Sequence, residues 1–478
     1  FCRDAYQDWG TSYIFIGGDD EWIPAREMET SYEGDLDSDI YWNHLDNSFN
    51  ADGDNYWGEE GDAGFDLYSE LYIGRITCDE PQDVSNWMNK SFTYADSYDM
   101  DYLENCGFYG GDTGWQCQGS DFMDYSAVKG TDDWLGPNPS SDGPYPTWAG
   151  FQYGFETWNS VNPGKPFNLT QKWADHSSPN PGWLGGNGQG VAGFRDAINN
   201  DLITIISGIA HANAGMSLDV YDSSWESDYH NTRPFFIHDY GCHCGDMDAE
   251  DDGVLHSMLF HDDTELAFGC VFNTGYGWGN FDTTNSSSAF QAKEFWDYFL
   301  DTANNSITPL NWQLGKGHAW AIDRMAPTID WGYTWRSIIQ SCLLFADPAQ
   351  RLKPSLFADH GVMVNDLDVD SVVPHGETIT VQATILNEGM NTENNILVNF
   401  TVDDVVIADT TISEIDIGQS KQVSFDWNPD YGTFVVGIEA TPVPGENFTD
   451  NNAVNKSVEV IAAPDVYVSP SSFVFHVN

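Results

Sequence analysis

Pro234-Phe-Phe-Ile-His-Asp-Tyr-Gly-Cys242-His-Cys-Gly-Asp246 decides the fold: it is an apolar strand running into a turn that presents a cysteine. A second apolar run, Leu202-Ile-Thr-Ile-Ile-Ser207, empties in the same way toward His211. Two adjacent buried strands whose carboxyl ends deliver a thiol and an imidazole are what a cysteine hydrolase on a parallel sheet requires. A free thiol with an ordinary pKa of about 8.5 is mostly protonated at neutral pH, so a nucleophilic cysteine needs a neighbouring histidine. His211 and Cys242 stand 31 residues apart, a separation that suits a strand-to-strand crossover. The chain reads first as a peptidase.

Working outward from these strands, Ser12 to Ile16, Leu71 to Ile76, Gly107 to Gly110 and Leu266 to Phe272 are further short apolar runs alternating with helical patterns. That alternation predicts an α/β domain with a mostly parallel sheet and flanking helices over residues 1–355. One helix is expected over Ala289 to Ala303, where Phe290, Phe295, Trp296, Phe299 and Leu300 make one apolar stripe. The tract from Gly114 to Gly188 is rich in Gly, Pro, Trp and Asp without steady periodicity, and reads as long surface loops over the sheet edge. Beyond Lys353 the pattern shifts to period two, as in Ile379, Val381, Ala383 and Ile385, with turns at Pro374-His-Gly376, Asn387-Glu-Gly389 and Asn428-Pro-Asp430. This predicts an all-β immunoglobulin-like sandwich over 359–462, ending in strands Thr433 to Glu439 and Ala453 to Val460, with a further β module beginning in 463–478.

Composition limits the partners. The 478 residues hold 17 basic and 75 acidic side chains, a formal charge of −58 that repels nucleic acid and anionic membrane. Hydrophobic residues make up 41 %, enough for the cores of two or three domains. No run is long and apolar enough to span a bilayer, and no segment resembles a signal peptide. The chain opens without a methionine on Phe1, Ala5 and Trp9 at helical spacing, and stops inside the strand-like Ser472 to Asn478, so a longer parent polypeptide is expected at both ends. Asn-x-Ser/Thr sequons at Asn89, Asn168, Asn285, Asn304, Asn399, Asn447 and Asn455 favour an extracellular or cell-surface glycoprotein. Cys106 and Cys117 flank a glycine-rich turn and are spaced to pair, whereas Cys78, Cys270 and Cys342 read as core residues. Asp46, Asn50, Asp52, Asp54 and Glu59 concentrate oxygen ligands around a glycine-bearing loop without EF-hand spacing; a structural calcium site and a solvated acidic turn both stay open.

With these residues laid out, the first domain resembles the gingipain-like cysteine peptidases, relatives of the caspases. Ile14-Phe-Ile-Gly-Gly-Asp-Asp-Glu-Trp-Ile-Pro24, Asp39-Ile-Tyr-Trp42, Asp52 to Glu59 and Leu71-Tyr-Ile-Gly-Arg-Ile76 look like that family's opening blocks in order. Ala210-His-Ala212 and Gly241 to Asp246 look like its catalytic blocks, and Leu343-Leu-Phe-Ala-Asp-Pro348 like its closing block. The resemblance implies Cys242 as nucleophile and His211 as general acid/base. It also implies an oxyanion hole from the Cys242 backbone N–H and one just after His211. Asp112 is the candidate for an orienting acid, with an ordinary turn aspartate as the alternative. Trp278 falls where the family lines its primary specificity pocket with an aromatic, against a packing tryptophan. One departure matters: the family commonly writes Gly-His-Gly, and here alanines flank His211. The second domain resembles the cell-adhesion-related (CARDB) immunoglobulin-like modules, which serve as spacers or bind surface partners.

The expectation is a secreted or surface cysteine endopeptidase acting on protein or peptide substrates, with calcium at most structural and no cofactor required for catalysis. The alternative is a catalytically silent surface protein that keeps the fold. A third reading joins Cys242 and Cys244 with His238, His243 or His256 as metal ligands.

Overall fold

A computed structural model describes residues 1–46, 48–60, 62, 67–97, 99–103, 105–114, 118–126, 168–175, 183–185, 189–248, 253–280, 284, 286–300, 311–353, 361–387, 389, 391–446, 449 and 451–462. The chain divides into two compact units, Phe1–Leu356 and Phe357–Asn478.

The strands of the first unit are β1 (Tyr13–Gly17), β2 (Arg26–Thr30), β3 (Gly34–Ser38), β4 (Tyr72–Ile76), β5 (Asn105–Gly110), β6 (Asn168–Ala174), β7 (Leu184–Gly185), β8 (Ile205–Ile209), β9 (Met216–Ser217), β10 (Val220–Tyr221), β11 (Phe235–Asp239), β12 (Ala267–Asn273) and β13 (Cys342–Phe345). Seven of them form one sheet in the order β13-β12-β11-β8-β5-β6-β7. Every neighbouring pair is parallel except β12 with β13. All residues of β8, β11 and β12 are buried, as a sheet covered on both faces demands, which is why these strands are apolar runs rather than alternations. Two apolar clusters lie on the two faces. One is built around Phe236, Phe295 and Trp296; the other is built around Ile206, Ile237 and Trp225.

Two expectations are corrected. The runs at Ser12 and Leu71 are strands, but β1 and β4 pair only with each other, in parallel, outside the seven-stranded ladder. Gly74 of β4 lies against the chain leaving β13, where a Cβ would come 2.2 Å from the Ala346 carbonyl oxygen, so this small sheet abuts the large one. The tract from Gly114 to Gly188 is not only loop: it supplies a helix, Gly119–Ser126, and the edge strands β6 and β7. The eight-residue helix and the two-residue β7 are too short to show a period in so glycine-rich a tract. The rest of that tract lies outside the described residues.

The helix expected at Ala289 runs Ser287–Leu300, with Phe295 and Phe299 fully buried, and Trp296 donates its Nε1–H to Ser207 Oγ on β8 at 3.0 Å. The opening helix, Cys2–Trp9, buries only Ala5; Phe1 and Trp9 are exposed and meet edge to face. Cys106, Cys270 and Cys342 are buried free thiols and Cys78 is half-buried; Cys117 lies outside the described residues. No helix among the described residues is long and apolar enough to cross a membrane.

The second unit is a sandwich. One sheet holds β14 (Val362–Asp368), β16 (Ile379–Asn387) and β19 (Ser420–Trp427); the other holds β15 (Val372–Pro374), β21 (Ala453–Ile461), β20 (Gly432–Ala440), β17 (Glu393–Val402) and β18 (Val405–Ile415). Val381, Ala383 and Ile385 of β16 point inward against Phe400 and Ile438, as the period-two pattern requires. The stretch 463–478, where a further module was expected, lies outside the described residues.

Candidate active site

The sheet register builds the site. Asp239 of β11 pairs with Gly208 of β8. Cys242 and His211 each stand three residues beyond that pair, so both leave the same carboxyl edge on neighbouring strands. They line one cavity of about 340 Å³, walled also by Tyr240, Tyr276 and Trp278. His211 is exposed at its mouth; Cys242 is half-buried, its Sγ 3.7 Å from the Gly277 carbonyl oxygen. Burial pushes the Cys242 thiol above its ordinary pKa.

The turn after Cys242 is bolted to the end of β12. His243 N–H donates to Gly275 O at 2.7 Å, Gly245 N–H to Asn273 O at 2.9 Å, and Asn273 Nδ2–H to Gly241 O at 2.9 Å. His243, at a φ of 51°, turns its ring away to Thr274 O and Asp246. Cys244 is fully buried, and its thiol is raised well above the usual range by desolvation. Of the two neighbouring cysteines, Cys242 is the one open to the cavity.

The metal-ligand reading of these residues is not supported by geometry. His238 is enclosed and bonds Gln291, His256 faces Asp83, and among the described residues the group of side chains converging as metal ligands is Asp52, Asp54 and Glu59.

The alanines flanking His211 are accommodated by two glycines. A Cβ on Gly241 would lie 2.5 Å from the Ala212 methyl, and one on Gly111 would lie 2.5 Å from the Ala210 methyl. The turn can therefore close on Cys242 with alanines in place. Neither Cys242 N–H nor Ala212 N–H is bonded to any described residue. Two free donors at the cavity edge are the raw material of an oxyanion hole.

Trp278 both lines the cavity and packs. Its Nε1–H donates to Glu33 Oε1 at 2.8 Å and to Ser337 Oγ at 3.2 Å, and its backbone N–H to Ser288 Oγ at 2.8 Å. Glu33 also accepts the Tyr276 N–H at 2.6 Å. The rings of Tyr32 and Tyr333 stack at 5.2 Å, and both meet Trp278 edge-on at 5.3 Å. Glu33, from the β2–β3 hairpin, thus braces an aromatic wall whose members come from three distant parts of the sequence.

Asp112 sits just past β5, exposed, with Oδ1 accepting the Gly114 N–H at 2.9 Å, the geometry of a turn aspartate. Sequence reasoning missed Asp219 and Asp239. Asp239, enclosed at the end of β11, accepts Gly241 N–H on Oδ1 at 2.9 Å, and Ser217 Oγ–H and Leu218 N–H on Oδ2 at 2.7 and 3.1 Å. Burial raises its carboxyl to about 7, against the pull of those donors. The signal available was an aspartate closing an otherwise apolar strand three residues before the cysteine.

In the acidic loop, the carboxylates of Asp52, Asp54 and Glu59 come within 4.8 Å of one another. Asp46 stands outside this group, and Asn50 shapes the loop instead, accepting Gly53 N–H at 2.7 Å and donating to Asp54 O at 3.1 Å. Glu59 Oε2 and the nearby Asp62 Oδ2 are buried without a hydrogen-bond partner among the described residues.

The sequence model of peptidase family C25 matches residues 1–353, and the CARDB model matches residues 361–459. Among solved structures, the crystal structure of the Arg specific cysteine proteinase gingipain R (RGPB) is similar at a TM-score of 0.54 and 13 % identity, covering 96 % of this chain and 87 % of that one. The complex of Porphyromonas gingivalis RgpB pro- and mature domains is similar at 0.53 and 13 % identity, covering 96 % and 89 %. At such identity the likeness speaks for the fold. None of the curated proteins matches the chain.

Proposed function

The chain belongs to peptidase family C25, and on that premise we propose that it is an active cysteine endopeptidase with Cys242 as nucleophile and His211 as general acid/base. The observation that carries this is the emergence of both side chains three residues beyond one register pair, into one cavity. Because burial keeps the Cys242 thiol protonated at rest, proton transfer accompanies attack. The thiol proton passes to the His211 imidazole as Sγ bonds the scissile carbonyl carbon, and the oxyanion is received by the N–H groups of Cys242 and Ala212. His211 then gives that proton to the leaving amine as the C–N bond breaks. Water, deprotonated by His211, cleaves the thioester and returns the thiol.

Trp278 forms a wall of the primary subsite in this reading. The loop of Asp52, Asp54 and Glu59 holds a calcium ion whose part is structural. An extracellular or surface setting fits the family, the sandwich, and the exposed side chains at the sequons Asn89 and Asn455. The sandwich serves as a spacer or binds a surface partner.

The test is cleavage of a fluorogenic peptide library varied at the residue before the scissile bond, comparing wild type with Cys242→Ala and Cys244→Ala. Loss of cleavage in the first variant alone supports the assignment. No cleavage by wild type, under reducing conditions and across pH, moves the reading to a silent surface scaffold.

A further inference from the structure

We propose that Asp219 is the carboxylate that positions His211, and that Asp239 locks it in register with the Cys242 turn. This rests on the Cys242–His211 reading above but concerns a residue outside it.

After His211 the chain makes a short hairpin, β9–β10, and returns so that Asp219 N–H donates to the His211 carbonyl oxygen at 3.2 Å. Leu218 and Asp219 carry φ of 52° and 60°, a left-handed turn that side-chain-bearing residues adopt only where the surroundings hold them. What holds them is Asp239, through Ser217 Oγ–H and Leu218 N–H. The other oxygen of the same carboxylate takes Gly241 N–H, next to Cys242. One buried side chain thereby fixes the backing of the histidine and the seat of the cysteine together.

The Asp219 carboxylate reaches back over the end of β5. A Cβ on Gly111 would lie 2.3 Å from Asp219 Oδ2, and Gly111 N–H is bonded to Ile209 O, two residues before His211. That carboxylate accepts the His211 backbone N–H while the Asp219 N–H donates to the His211 carbonyl oxygen, so Asp219 holds the histidine's main chain on both sides. The groups facing the carboxylate are His211, Asp175, Asp112, Asp239 and Tyr109. His211 is the strongest of these in favour of the charged form, while burial first, then Asp175 and Asp112, raise the carboxyl to about 6. An acid in this place fixes the backbone from which the imidazole projects and, as a nearby negative charge, steadies imidazolium, which is the service a third residue gives in nucleophile–base pairs. Asp112 spends one carboxylate oxygen on the N–H of its own turn.

The experiment follows the rate of Cys242 alkylation by iodoacetamide against pH, read by mass spectrometry of the Cys242 peptide, alongside kcat and KM for peptide cleavage. His211→Gln identifies the step in the profile that belongs to the imidazole. Asp219→Asn is expected to lower that midpoint by about one pH unit, and to reduce kcat by about tenfold or more with KM within about twofold. Asp219→Glu should restore the midpoint, and Asp112→Asn should leave it in place. Asp219→Gly, which suits the φ of 60° and removes the carboxylate, should reproduce the Asn effect and decides the matter if Asp219→Asn does not fold. A midpoint unmoved in folded Asp219→Asn or Asp219→Gly, or moved by Asp112→Asn instead, overturns the proposal. Alkylation needs no substrate, so a wild type that cleaves nothing counts against the peptidase reading while the Asp219 assignment is still decided by the profile.

Discussion

Gly241 has no side chain where Ala212 places its methyl: a Cβ there would lie 2.5 Å away, and 3.1 Å from the Ala210 carbonyl oxygen. The histidine and cysteine turns are thus in contact through one missing methyl group. Gly241→Ala is expected to push the turns apart, misplacing the Cys242 N–H relative to Ala212. Overpacking of this kind costs about 1–3 kcal/mol of stability, while loss of one oxyanion donor costs on the order of 100-fold in kcat. Steady-state kinetics beside a thermal melt would check it; full activity in the variant would mean the two turns do not share the oxyanion.

Arg75 and Asp39 join two sequence blocks that are 36 residues apart. The guanidinium gives Nε–H and Nη2–H to the carboxylate at 2.8 and 2.7 Å and spends Nη1 on the carbonyls of Gly18 and Ile23, all with both side chains enclosed. Removing one member strands a buried charge. Arg75→Met should therefore lose about 3–5 kcal/mol, and Asp39→Asn combined with Arg75→Met should recover part of it. A double variant no more stable than the single one would deny the pairing.

How much of this was legible in the sequence depended on what each residue answers to. The strands β8, β11 and β12 were readable because burial on both faces forces unbroken apolar runs, and the turns after them carried Cys242 and His211 visibly. Arg75 and Asp39 stood in recognisable blocks, but their union depends on a fold that brings β4 beside the start of the short helix Ile40–Asn43. Asp219 was hidden because its role is set by a two-residue hairpin and a left-handed turn without glycine, a conformation no local pattern announces. Trp278 was legible as an aromatic by the site; its brace, Glu33, lies 245 residues away and could not be paired with it from sequence.

Asp37 supplies a pH test. Its side chain is 8 % exposed, and burial, reinforced by Asp248, Asp20, Asp246 and Asp39, lifts its carboxyl to about 8 from an ordinary 3.8. The folded state then holds a proton that the unfolded chain has released, so the stability tied to Asp37 is fully present below about pH 4 and is lost as pH rises through about 8. Asp37→Asn mimics the protonated form and does not titrate. Its melting temperature relative to wild type is expected to rise steadily between pH 5 and pH 8; a constant difference would show that Asp37 is ionised in the fold.

Calcium should act on the site at a distance. Inside the loop holding Asp52, Asp54 and Glu59, the Gly58 carbonyl oxygen accepts Arg336 Nη1–H at 2.8 Å and Gln340 Nε2–H at 2.7 Å. Both donors lie on the helix Tyr333–Ser341, which also presents Tyr333 and Ser337 to Trp278. Binding a cation to the folded loop at 100 times its Kd would add about 2.7 kcal/mol of stability, and loosening the loop would loosen the aromatic wall. Chelation is therefore expected to lower the melting temperature and raise KM more than it lowers kcat, and Asp54→Asn should make the protein insensitive to the chelator. If chelation leaves melting temperature and KM unchanged in wild type, the three carboxylates are a solvated turn.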